Sequence, residues 1–133
     1  MKLRKILKYI LISLLGLLLL FFMLLAGLFY LTVYAPFQWE RFNQEKWLAH
    51  KQLGNNDFLC TRGPMVFSLR HSYLTKNLDR EAVLKLLGEA DYKTDGCLEY
   101  LLGMCSGLGI DYDGLVICFD ETNHVTHTYT QQH

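Results

Sequence analysis

A chain of 133 residues has room for at most one ordinary domain. Its 13 Lys and Arg match its 13 Asp and Glu, but unevenly: Lys2, Arg4, Lys5 and Lys8 precede every acid, which leaves residues 37–133 with 9 bases against 13 acids, a net of −4 with neutral His. That part carries no basic footprint, so nucleic acid is excluded as the expected partner.

Behind the four basic residues, Ile10 to Val33 is uncharged, and Ser13 and Thr32 are its conventional polar side chains. The run of about 24 residues would make a helix of about 36 Å, enough to cross a ~30 Å hydrocarbon core with some tilt. A cleavable signal peptide needs only about 7–15 apolar residues. Leu25-Ala26-Gly27 match the end of a lipoprotein signal, but Leu28 stands where the lipid-accepting cysteine would be. Val33-Tyr34-Ala35 has the small-residue spacing of a cleavage site, and Pro36 behind it hinders signal peptidase. The expectation is an uncleaved signal-anchor over 10–35 and a basic cytoplasmic segment over 1–9, since positive charge keeps its end of a span inside. Lys2, Arg4, Lys5 and Lys8 would anchor the inner face, where they also suit anionic headgroups, and Tyr34 and Trp39 the outer face, among Tyr30 and Phe37.

Residues 36–60 read as a juxtamembrane linker. Trp39, Phe42, Trp47 and Leu48 lie among charges in 39–53, as in a short helix that either rests near the bilayer or packs on the domain; Gly54-Asn55-Asn56-Asp57 signals a turn. The domain is expected over 61–133. Pro64 suits a first helical turn, and Val66, Leu69 and Tyr73, with Met65 alongside, make one helix face. A second helix is expected over 80–87. Asp79 is its N-cap, Leu78 and Val83 its staple, Val83, Leu86 and Leu87 its buried stripe, and Gly88 its C-terminal stop.

Three strands follow, at 97–104, 113–120 and 125–132. Leu98, Tyr100, Leu102 and Met104 share a face opposite Cys97, Glu99 and Leu101; Leu115, Ile117 and Phe119 share a face opposite Val116, Cys118 and Asp120. Residues 121–124 make the last turn, where Asn123 tolerates the left-handed region, and 105–112 form a longer loop. The expected fold class is α+β: after the transmembrane helix, a two-layer domain of two helices on a three-stranded antiparallel sheet, in the order ααβββ.

Cys60, Cys97, Cys105 and Cys118 all follow the span, where disulfides are permitted. Four cysteines allow three full pairings, which spacing does not rank. Cys97 and Cys118 share a predicted sheet face on adjacent strands and are the candidate disulfide, against the alternative of two small half-buried thiols. His124 and His127 would point to opposite strand faces, which argues against a metal site. Asp111-Tyr112-Asp113-Gly114 resembles part of a calcium loop, but Leu115, Val116 and Ile117 follow where acids would be needed. No serine lies in a nucleophile motif, and there is no CxxC, P-loop or dinucleotide fingerprint. The expectation is a protein that is not an enzyme, with no cofactor, metal or small-molecule substrate.

From Leu78 onward, "LDREAVLKLLGEAD", "LEYLLG" and "LVICFDETNHV" occur in the order and spacing of the SmpA/OmlA (BamE-like) family of small bacterial envelope proteins, which residues 62–132 resemble. The resemblance implies two helices on a three-stranded antiparallel sheet and a periplasmic location. Ala90 stands at a usual proline, Asn123 at a usual glycine, and no cysteine follows Gly27. Together these readings lead to a single-pass protein of the bacterial inner membrane, its N-terminus cytoplasmic and its domain periplasmic, that binds a protein partner in envelope assembly or maintenance. Its binding surface is expected on the uncovered sheet face, the 105–112 loop or the aromatic juxtamembrane segment. The alternative is a small inhibitor or immunity-type protein against a periplasmic enzyme or toxin, since the two-layer fold is similar to β-lactamase-inhibitor modules. A third option is an enzyme or redox protein using Cys105 or Cys60.

Overall fold

The computed structural model describes residues 2–51, 58–75, 77–107 and 109–133. The turn expected at 54–57 and the last two residues of the 39–53 segment lie outside the described residues. Helix α1 (Lys2–Val33) is followed by a 3-10 turn (Ala35–Phe37), α2 (Gln44–Ala49), a second 3-10 turn (Gly63–Met65), α3 (Val66–Ser72) and α4 (Arg80–Leu87). Strands β1 (Tyr92–Thr94), β2 (Cys97–Gly103), β3 (Asp113–Phe119) and β4 (Val125–Gln132) form one antiparallel sheet in that order. The chain is thus α+β, with one N-terminal helix long and apolar enough to cross a membrane.

Local sequence accounts for α4. The Asp79 carboxylate accepts the Ala82 N–H at 2.7 Å, and Gly88 ends the helix at φ 77°. Val83 and Leu87 are buried, and Leu86 packs beside them. Pro64 lies in the 3-10 turn that runs into α3, and Met65 of the turn and Val66 and Leu69 of α3 face the core. Tyr73 is a departure: it is 42% exposed, because the chain leaves the helix there and Leu74 turns inward instead.

Two expectations are corrected. The sheet has four strands, not three. Asp95-Gly96 is a two-residue hairpin loop joining the paired Thr94 and Cys97, with Gly96 at φ 81°. β1 escapes a sequence reading because three residues with a central lysine carry no readable alternation. The helical layer holds α2, α3 and α4 rather than two helices. Of the two readings of the short helix in 39–53, the one that packs on the domain is the one observed: Trp47 of α2 is 0% exposed at the centre of the core, its ring 6.1 Å from Tyr100 and 6.0 Å from Phe42. Asn43 caps α2 by accepting the Lys46 N–H at 2.9 Å. Gln44 donates to Lys85 O and Leu86 O, carbonyls in the last turn of α4 that the helix itself leaves open. Packing decides α2; a six-residue helix is too short to be stable by itself.

Arg62 is the buried polar hub. Its guanidinium pairs with Asp91 at 3.0 Å, donates to Trp47 O and Leu101 O, and lies 4.9 Å over the Trp47 ring. The same Asp91 oxygen accepts the Leu101 N–H at 2.8 Å. One buried side chain thus joins α2, the entry to β1 and the end of β2. Nearby, the Tyr100 hydroxyl donates to Gly88 O at 3.0 Å, and burial holds it well above the ordinary phenol range.

Candidate functional site

The helices cover one face of the sheet, where Leu98, Tyr100, Leu102, Leu115 and Ile117 point. No described element covers the other. Reading across the register, that open face carries Tyr92 and Thr94, then Cys97, Glu99 and Leu101, then Gly114, Val116 and Cys118, then His127, Tyr129 and Gln131. Cys97 and Cys118 are direct partners on β2 and β3 and are joined by a disulfide. Cys60 and Cys105 form the second, so among the described residues no cysteine is free. Redox chemistry at a free Cys60 or Cys105 thiol is therefore not what the structure offers.

Glu99 organises the face. It is 7% exposed, and its Oε1 accepts from Gln131 Nε2 at 3.0 Å and lies 2.5 Å from His133 Nε2. A Cβ on Gly114 would collide with this carboxylate, so glycine in the middle strand is what lets Glu99 lie across β3. Around it runs an open cleft of about 880 Å³, bordered by His50, Asp91, Tyr92, Lys93, Tyr112 and His133. Both charge signs meet there. Lys93 pairs with Glu89 at 2.8 Å, which holds the exposed Glu89 carboxyl below its usual range. Tyr92 and Tyr129 stand exposed, and His127 stacks on Tyr129 with centroids 6.0 Å apart. The arrangement is a mixed polar and aromatic surface, suited to hydrogen bonding and ring contacts.

The β4 edge is a second conceivable template, but Arg70 occupies it, donating to Thr128 Oγ1 at 2.9 Å and Thr128 O at 2.7 Å. The 105–112 loop is held from inside by Asp113. Its Oδ2 accepts the Cys105 and Ser106 N–H groups at 2.8 and 2.7 Å, and its Oδ1 accepts the Ser106 hydroxyl at 2.6 Å. Asp113 thus closes the loop as a buried acceptor of loop donors. At the opposite end of the sheet, the backbone N–H groups of His124 and Thr122 and the Thr122 hydroxyl hold the Asp120 carboxyl below its usual range. Asn123 adopts φ 63° in that turn.

The predicted interface residues separate to the two ends of α1. Arg4, Lys5 and Lys8 lie exposed in its first turns; Lys2 begins the helix, and its side chain lies outside the described residues. Tyr34 and Trp39 are exposed at the other end, Tyr34 stacked on Tyr30 at 6.0 Å. Sequence reasoning misses Glu99, Asp113 and Arg62, which are separated in sequence from their partners. It also misses Cys60–Cys105, although that bond follows once Cys97–Cys118 is granted and every cysteine is paired. Among the described residues, no three of His, Cys, Asp and Glu come together as a metal site. No protein-family model, curated protein or solved structure matches the chain.

Proposed function

We propose that this chain is a membrane-anchored protein-interaction module of the bacterial cell envelope, a binding protein rather than an enzyme. Helix α1 anchors it in the inner membrane with the basic end cytoplasmic, and the α+β domain stands in the periplasm. Basic residues at one end only of an apolar helix support that orientation. Two disulfides, both beyond the helix, support an oxidising compartment. The SmpA/OmlA likeness belongs to the same proposal and is supported by the capped short helix and the α+β class of the domain, whose sheet has one strand more than that family's three.

The observation that carries the reading is the open sheet face: a wide cleft rimmed by tyrosines, histidines and charges of both signs, on a sheet braced by Cys97–Cys118. Its partner is a protein in envelope assembly or maintenance. Photo-crosslinking in cells tests this. A photoreactive residue at Tyr129 or Tyr92 is expected to trap a discrete protein, and one at Glu81 on α4 is not. Equal trapping at all three positions, or none, would overturn the reading. A hydrolase or toxin as the trapped protein would favour an inhibitor or immunity role.

A further inference from the structure

The end of the domain that meets α1 has its own surface. The Thr32 carbonyl, in the last turn of α1, would be left open by the helix; it accepts the Gly107 N–H at 3.2 Å. The 105–112 loop is therefore fastened to the anchor at a defined depth. Tyr9 and Tyr30 are separated by about 32 Å along a helix, close to the ~30 Å of a hydrocarbon core, and tyrosines favour its two boundaries. With α1 in the bilayer, Thr32 and the loop bonded to it lie in the outer headgroup layer.

What the loop presents there is apolar. Ile110 is 67% exposed. The Cys60–Cys105 disulfide clamps the strap carrying Phe58 and Leu59, 59% and 69% exposed, onto the same loop. The Phe58 ring lies 6.4 Å from that of Tyr112, where the loop enters β3. Gly63 keeps the clamp closed, since a Cβ there would collide with both sulfurs. Asp111 follows Ile110, exposed, and its carboxylate limits how deep the loop can go.

We propose that Phe58, Leu59 and Ile110 form a disulfide-clamped wedge seated in the outer headgroup layer, so that the domain lies on the bilayer instead of swinging on its anchor. The proposal rests on reading α1 as a membrane span. The wedge acts by apolar burial and not by charge attraction, because the domain is net acidic, so lipid contact does not require anionic lipid.

The test uses the full chain in phosphatidylcholine vesicles, with an environment-sensitive fluorescent amino acid at Leu20, Ile110 or Thr122 in separate preparations. Lipids brominated near the headgroup are expected to quench the label at 110 at least about twofold more than the label at 122 in the distal turn, and lipids brominated near the bilayer centre to quench the label at 20. With Leu59→Asp, quenching at 110 is expected to fall while the label at 20 is unaffected. Quenching at 110 no greater than at 122, with 20 quenched, would overturn the wedge and leave the anchor standing. Shielding of 110 without lipid quenching would overturn it in favour of a protein contact. Failure to quench at 20 would overturn both.

Discussion

The two faces of the sheet are built from the same strands by different means. On the helix side, Leu98, Tyr100, Leu102, Leu115 and Ile117 are buried under Trp47, Met65, Leu69, Val83 and Leu87. On the open side nothing described covers the sheet, yet all seven residues of β3 are buried. The reason is side-chain length. Gly114, Val116 and Cys118 in the middle are short, and their neighbours Glu99, Tyr129 and Gln131 are long. One face is sealed by tertiary packing, the other by its own flanking side chains and a cross-strand disulfide. A face sealed in that way keeps its outer surface polar and available.

The asymmetry can be broken most strongly from the helix side. Trp47→Ala should destabilise the full chain in detergent by about 3–5 kcal/mol, read by urea unfolding, since it empties the core centre and uncovers Arg62. An effect near that of a surface change would mean that α2 is not integral to the domain. The two disulfides come next. Loop-closure entropy gives about 4 kcal/mol for removing the 45-residue Cys60–Cys105 link and about 3 kcal/mol for the 21-residue Cys97–Cys118 link, each as a double Cys→Ser variant. If the shorter link cost more, the open face would depend on its brace beyond chain entropy.

Smaller effects sharpen the comparison. Val116→Ala on the open face should cost about 1 kcal/mol, less than Ile117→Ala beside it at about 2–5 kcal/mol, because Val116 is covered by movable side chains. Equal costs would mean that both faces are true core. The smallest effect is at the Asp120 turn. Its carboxyl is depressed in the folded chain, so its stabilisation is fully present above the ordinary carboxylate range and is lost as pH falls from there through the lower value of the folded state. Asp120→Asn should flatten the acid limb of melting temperature against pH and leave the neutral value little changed.

Much of the fold is legible in the order of residues alone. The strands at 97–104, 113–120 and 125–132 carry period-2 alternation over seven or eight residues, enough to define register faces and to set Cys97 beside Cys118. The helix at 80–87 has its own cap and stop. Where the signal is short or polar, it fails: β1 is three residues, and Trp47 sits among charges that resemble a surface segment. The candidate site is legible only as an uncovered face. Glu99, Gln131 and His133 meet across strands more than 30 residues apart, and no local pattern marks them.

The sequence by itself determined the long apolar N-terminal helix, its charge asymmetry, the capped helix and three of the four strands, because each depends on residues within one or two turns or on strict alternation. Only the tertiary structure decided that Trp47 belongs to the core, that Arg62 joins three elements and that Cys60 clamps the 105–112 loop beside Thr32. Those outcomes depend on which distant surfaces come together, and packing energy, not local propensity, selects them.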